Sequence, residues 1–203
     1  EIAKLQIEAG AVGVCCAKLG EAEALAEGAI QDILITSPVV TPQAIARLVG
    51  LNAKIRTLRV VVDNPVNVDA LAAAAQASDQ TLNIVIDVDP GIRRTGVPSP
   101  EAAVALAKRI SETPSLRLAG VQYYCGAQQH IESYADRRAA IEDRTNYLKT
   151  VLEALRGAGH PPNIVTGGGT GTHQIDAELG VLTELVRSEE HRLNSSHSLP
   201  SRM

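Results

Sequence analysis

Polar and ionisable side chains recur in this sequence just after short aliphatic runs. Lys18, Thr36-Ser37, Asp63-Asn64, Asp87 and Asp89 with Arg94, Gln122-Tyr123-Tyr124 with His130, and Thr166–Thr172 each close such a run. The last is the most telling. Thr166-Gly167-Gly168-Gly169-Thr170-Gly171-Thr172 follows the apolar Asn163-Ile164-Val165 and precedes a helical pattern. Its glycines let a backbone approach a ligand without Cβ obstruction and accept positive φ. Its threonine hydroxyls, and the unpaired N–H groups of a following helix start, suit a phosphate. A flexible turn is the other reading. Gly-Lys-Ser/Thr is absent and no register gives G-x-G-x-x-G, so neither a P-loop nor a dinucleotide fingerprint is present.

The other candidates each carry two readings. Arg94, in Asp-x-Gly-x-x-Arg-x-Gly, could pair with Asp89 to pin its loop, or hold a carboxylate or a heteroaromatic nitrogen. His130 is either an exposed loop histidine or a general acid/base active near neutral pH. Tyr123 and Tyr124 fall on opposite faces of one strand. Tyr124 is the better site candidate and Tyr123 the better packing residue. Lys18 could form a Schiff base if desolvated, but reads more simply as a surface lysine opening a loop. Cys15 and Cys16 read as small buried hydrophobes, and His160, before Pro-Pro, as an inert loop residue. No His/Cys/Asp set has metal-ligand spacing.

The elements that must position these residues follow from composition and pattern. The 203 residues hold no Phe, no Trp and four Tyr, but many Ala, Val, Ile and Leu. Such cores suit buried parallel strands under Ala-rich helices. Apolar runs begin near 12, 33, 58, 82, 116 and 163, separated by helical patterns, giving six strand–helix alternations. The fold class is therefore α/β with a parallel sheet. An open doubly wound sheet is compatible; so is an incomplete (β/α)8 TIM-type barrel with about six of eight units, since a whole barrel takes ~250 residues. In a barrel every polar cluster named above lies at the C-terminal rim, where barrel active sites form.

Few aromatics and a net charge of −4 argue against single-stranded nucleic-acid binding. No apolar run reaches the ~20 residues of a membrane span. Three cysteines, two adjacent, are no disulfide framework, and point to a reducing, cytoplasmic setting. From Arg187 the composition turns abruptly to RSEEHRLNSSHSLPSRM. Residues 187–203 are expected to be a non-native or disordered tail, and 1–186 a partial cofactor-binding barrel domain. The chain as a whole is expected to be a fragment.

Four stretches carry a resemblance: GAVGVCCAKLGEAEAL at 10–25, DVDPGIRRTGV at 87–97, GVQYYCGAQQH at 120–130 and IVTGGGTGT at 164–172. In this order they resemble the fold-type III pyridoxal-phosphate enzymes that include D-threonine aldolase, 3-hydroxy-D-aspartate aldolase and eukaryotic-type D-serine dehydratase. The resemblance runs from Glu1 to about Leu185. It implies an alanine-racemase-like barrel with pyridoxal 5'-phosphate as cofactor. It also implies that the Schiff-base lysine lies upstream of Glu1, and that a divalent metal (Mn, Mg or Zn) is held by a further C-terminal domain. Gly168, Gly169, Thr170, Gly171 and Thr172 would then contact the cofactor phosphate, Arg94 and Tyr124 would line the cofactor site, and His130 would act as the catalytic base on the substrate side. The Gln-His ending of that last loop looks more like the aldolases. The expected parent is a lyase, monomeric or homodimeric, that cleaves a D-β-hydroxy-amino acid (D-threonine or 3-hydroxy-D-aspartate type) to glycine plus an aldehyde. Dehydration of D-serine or 3-hydroxyaspartate, and a non-catalytic pyridoxal-phosphate-binding barrel, stand as alternatives. The fragment alone is expected to be inactive and poorly soluble.

Overall fold

A computed structural model describes residues 1–186; the tail assigned above to 187–203 lies outside the described residues. Helices and strands alternate throughout: α1 (Ile2–Glu8), β1 (Val14–Cys16), α2 (Leu19–Glu27), β2 (Asp32–Ile35), α3 (Pro42–Asn52), β3 (Thr57–Val62), α4 (Pro65–Ala77), β4 (Leu82–Asp87), α5 (Pro100–Ser111), β5 (Leu116–Tyr123), α6 (Tyr134–Gly157), β6 (Ile164–Gly167), α7 (His173–Leu179) and β7 (Glu184–Leu185). The six expected strands are all present, and β7 adds a seventh.

The strands are parallel and lie side by side in chain order, β1 to β7. A doubly wound sheet reverses its order at a switch point; this one never does, which removes that alternative. Residues of β1 (Val14–Cys16) and of the β7 edge (Glu184–Val186) line one cleft of about 690 Å³ together with Leu34, Arg59 and Thr166. The sheet therefore curls until its two edges face each other, as an open arc of a barrel.

The two faces of the arc carry different residues because strand side chains alternate. Ile33, Ile35, Leu58, Val60, Val62, Ile84, Ile86, Val121, Tyr123 and Val165 pack outward into one large core under the helices. Their inward neighbours Leu34, Val61 and Val85, with Cys15 and Ala119, form a separate small layer inside the arc. Below that layer, at the N-terminal ends, Arg59 pairs with Asp32 at 2.7 Å and Arg117 donates to Asn83. Above it, at the C-terminal ends, come Asp87, Gln122 and Thr166. Aliphatic residues thus separate two polar layers, and only the upper one is joined to the loops that lead into the helices.

Those loops are held short by helix starts written in the sequence. Thr41, Asn64 and Ser99 each cap a helix whose next residue is proline, accepting from Ala44, Val66 and Ala102 N–H at 3.3, 2.9 and 3.2 Å. Proline at the first helical position loses no hydrogen bond, and the cap satisfies one of the orphan donors. Glu21 does the same for α2, accepting from Ala17 and Lys18 N–H at 2.9 and 3.0 Å. Among the described residues no helix is long and apolar enough to cross a membrane.

Candidate functional site

The C-terminal rim holds two hydrogen-bonded clusters. The first is built on β4 and β5. Asp87 is buried, and its carboxylate accepts from the Thr95 hydroxyl at 2.7 Å and from Gln122 Nε2 at 3.0 Å. Gln122 also donates to Thr36 carbonyl oxygen at 3.2 Å, tying β5 back to the end of β2. Burial pushes the Asp87 carboxyl up from its ordinary value; the Thr95 and Gln122 hydrogen bonds and the Arg94 charge oppose that, and nearby Asp63 adds to it.

The loop after β4 is pinned by carboxylates on backbone rather than on arginine. Asp89 accepts from Gly91 and Arg93 N–H at 2.8 and 3.0 Å, and Asp63 accepts from Gly96 N–H at 3.0 Å. An Arg94–Asp89 pair does not form. Among the described residues the Arg94 guanidinium makes no hydrogen bond or ion pair, and it is exposed in a cleft with Arg93, Arg144, Asp63 and Tyr147. From α6, Arg144 donates to Pro90 carbonyl oxygen at 3.2 Å and bonds Asp143, bracing the same loop.

The second cluster joins the loop after β5 to the glycine loop after β6. Gly126–His130 is one turn of 3-10 helix. Its Gln129 is buried, donating Nε2 to Thr172 Oγ1 at 2.9 Å and accepting from Gly171 N–H at 2.9 Å on Oε1. Thr172 in turn donates to Asp176 of α7 at 2.6 Å. Burial raises the Asp176 carboxyl, with the Thr172 hydrogen bond and the His173 charge acting the other way. A Cβ on Gly171 would sit 2.6 Å from Gln129 carbonyl oxygen, so the two loops touch backbone to backbone.

Each expected site residue has a definite place. Gly168 adopts φ +73°. Gly168 and Gly169 N–H donate to no acceptor among the described residues, whereas Gly171 N–H and the Thr172 hydroxyl are engaged internally. Thr170 accepts at its carbonyl from His173 Nδ1, 2.9 Å away. Tyr124 is half-buried beyond the end of β5, its ring against Gly126. His130 is exposed at the end of the 3-10 turn. Tyr123 is buried in the outer core and donates to Arg144 carbonyl oxygen at 2.8 Å, as a packing residue should. Lys18 is exposed before α2, and Cys16 is buried. The glycine loop and the Tyr124–His130 loop are therefore one assembly, while Arg94 sits on a different loop.

Gln129 and Asp176 are not among the expected site residues, and Thr166 opens the glycine-rich stretch without being one of its expected phosphate contacts. Gln129 is one of two adjacent glutamines, and Asp176 lies inside an ordinary helical pattern. Thr166 points into the arc from β6 and is 1% exposed, yet its hydroxyl has no partner among the described residues. A buried hydroxyl without a partner costs stability. Together with the two unpaired glycine N–H groups, it gives the rim donors suited to an anionic, phosphate-bearing group. Among the described residues no three His, Cys, Asp or Glu side chains gather as a metal site.

Comparison with known proteins agrees with this geometry. The chain is 40% identical over 186 residues to the 3-hydroxy-D-aspartate aldolase of Paracoccus denitrificans (strain Pd 1222), covering 91% of this chain and 48% of that protein. It superposes on the crystal structure of the D-threonine aldolase from Filomicrobium marinum with a TM-score of 0.89 and 32% identity, covering 92% of this chain and 50% of the other. The D-threo-3-hydroxyaspartate dehydratase of Delftia sp. (strain HT23) is more distant, at 27% over 185 residues, 91% of this chain and 48% of that protein. The chain spans about half the length of these relatives. The alanine racemase, N-terminal domain family matches residues 1–187, and the chain belongs to that family.

Proposed function

We propose that this chain is the cofactor-binding half of a pyridoxal-phosphate-dependent aldolase acting on a D-β-hydroxy-amino acid of the D-threonine or 3-hydroxy-D-aspartate type. The observation that carries the reading is a set of donors at the rim: among the described residues Thr166 Oγ1 is buried without a partner, and the N–H groups of Gly168 and Gly169 donate to no acceptor. Bound pyridoxal phosphate supplies an electron sink for the pair released when a bond to the substrate Cα breaks.

The chain's own residues then bind and orient. Gly168, Gly169 and Thr170 hold the phosphate, with Gly171 and Thr172 fixing the loop from behind through Gln129 and Asp176. Tyr124 lines the cofactor site. Arg94, unpaired and cationic, receives a carboxylate or the ring nitrogen. His130, exposed on the loop that Gln129 anchors, takes the proton from the substrate β-hydroxyl as the Cα–Cβ bond breaks and the aldehyde forms, and a proton returned to Cα completes glycine and restores the neutral imidazole. A Schiff-base lysine from the other half of the protein, a D-amino acid as the small-molecule partner, a divalent metal ion held outside these residues, and a monomer or homodimer complete the reading. Three cysteines, none of them in a disulfide among the described residues, support a reducing, cytoplasmic setting.

Aldolase is favoured over dehydratase because the relatives bearing aldolase names are the closer ones. Expressed from its complete gene and supplied with pyridoxal phosphate and a divalent cation, the protein should release glycine plus aldehyde from D-threonine or D-3-hydroxyaspartate. Ammonia plus a keto acid as the products would replace the aldolase with the dehydratase, and no turnover of either kind would leave a cofactor carrier.

A further inference from the structure

We propose that Gln129 is a positioning residue whose buried amide locks the phosphate-holding glycine loop to the turn bearing Tyr124 and His130, so that cofactor and substrate contacts form as one unit. This rests on the reading above that the glycine loop holds a phosphate.

The hydrogen bonds leave Gln129 only one orientation. Thr172 is a hydroxyl with a single proton, and that proton goes to Asp176 Oδ2 at 2.6 Å. Its oxygen can therefore only accept from Gln129, which identifies the nearer end of the amide as the NH2 group, 2.9 Å away. The same NH2 reaches Cys125 carbonyl oxygen at 3.4 Å, closing the 3-10 turn on itself. The amide oxygen is left to accept from Gly171 N–H at 2.9 Å. Donor and acceptor are both needed, at one end of one side chain, in a place only 8% exposed. A carboxylate would supply only the acceptor, and an aliphatic side chain neither.

The consequence falls on the glycine loop. Four glycines within five positions would otherwise sample many conformations, and a phosphate would have to order them at its own expense. Anchoring Gly171 and Thr172 fixes the end of the loop that leads into α7, while Gly168 and Gly169 keep their N–H groups unspent. Because the anchor grows from the turn that ends in His130, a shift of either loop moves the other. Gln129 touches neither cofactor nor substrate in this account and acts only through the loop.

The test uses pyridoxamine 5'-phosphate, which carries ring and phosphate but no aldehyde, so its binding needs no lysine. Its affinity for the chain is compared with that of pyridoxamine, for wild type, Gln129→Leu and Gln129→Glu. Wild type should prefer the phosphorylated compound. Gln129→Leu should bind it about tenfold more weakly, as expected for two lost hydrogen bonds in a buried anchor. Gln129→Glu should be as weak at about pH 8, where the carboxylate cannot donate, and should approach wild type at about pH 5, because burial raises the new carboxyl above its ordinary value and the protonated acid regains a donor. The ionisable groups around it, Asp176 and His173 from α7 with Cys125 and His130 from the turn, are the same in all three proteins. The variant-to-wild-type ratio at each pH is therefore the readout, and because a buried carboxyl also makes stability pH-dependent, the urea midpoint of each protein is read at both pH values and affinities are compared only where the protein is folded. If Gln129→Leu does not fold, the Gln129→Glu profile decides. Wild-type-like affinity in the variants, or a ratio flat with pH, overturns the positioning role while leaving the phosphate site standing. A wild type that does not distinguish the two compounds overturns the phosphate reading and this proposal with it.

Discussion

Gln122 Nε2 lies 3.0 Å from Asp87 Oδ1, and this contact joins β5 to β4 across the upper end of the barrel arc. It buries a carboxylate whose charge has no ion-pair partner among the described residues. Burial wins over its hydrogen bonds, and the Asp87 carboxyl stands above its ordinary value. Asp176 is shifted the same way for the same reason.

A stability consequence has a definite sign. With a native value raised above the unfolded one, each group binds more protons in the folded state. Its contribution is fully present below the unfolded value near 3.8 and is lost as pH rises through the raised native value. Asp87→Asn should therefore flatten the fall in the urea midpoint between about pH 4 and pH 7 without abolishing it, because Asp176 keeps its share. An unchanged slope would mean that Asp87 is not the buried acid described.

Thr166 offers a substitution with opposed effects. Thr166→Val removes a buried hydroxyl that lacks a partner. The ligand-free protein should gain up to about 1 kcal/mol in denaturant unfolding, since a desolvated polar group is replaced by an apolar one of similar shape. Affinity for pyridoxal phosphate should fall in the same variant. Stability and binding moving down together would place the hydroxyl in an internal hydrogen bond instead.

Tyr123 tests how the rim is attached to the helical layer. Its hydroxyl donates to Arg144 carbonyl oxygen at 2.8 Å in the core, and burial, the largest cause, raises its pKa well above the usual phenol value. Tyr123→Phe should cost about 1 kcal/mol by removing one hydrogen bond in the core, while the Arg144 carbonyl keeps its partner within α6. The folded wild type should also show at least one phenol fewer ionised at about pH 11 than the unfolded chain, since burial raises Tyr147 as well as Tyr123. Full ionisation of all four tyrosines while the protein is still folded would contradict the burial of Tyr123.

Cys125 gives a chemical check of the same region. Burial pushes its thiol up to about 12, with Asp176 adding to the effect. It should resist thiol-disulfide reagents at about pH 8 until the protein unfolds, because the thiolate is the reacting species. Rapid modification of Cys125 in the folded protein would show that the turn above it opens.

Much of this architecture is legible in the sequence because its signals are local. Continuous aliphatic strands reveal parallel pairing, and Thr-Pro, Asn-Pro and Ser-Pro mark three helix starts. The helical pattern between the runs that begin near 116 and 163 is α6, Tyr134–Gly157. The two-residue strand β7 escapes because two residues carry no periodicity. The apolar run that begins near 12 forms strand only over Val14–Cys16, since its flanks are loop. Around the site, ionisable residues attract notice while amides do not. His130 stands out in Gln-Gln-His, yet the 3-10 turn exposes it and buries Gln129. Arg94 invites pairing with Asp89, but backbone N–H groups take that carboxylate first, being closer along the chain. Which residue faces inward on one tight turn depends on contacts with a loop some forty residues away, and no local pattern records it.

The central claim is that the glycine loop after β6 holds the phosphate of pyridoxal phosphate. Amide chemical shifts of the isotope-labelled chain, followed during titration with pyridoxamine 5'-phosphate, test it most directly. The account expects the largest shifts at Gly168, Gly169 and Thr170, with Thr166 moving beside them. Shifts centred instead on the Asp89–Gly96 loop and its arginines, with the glycine loop unmoved, would contradict it.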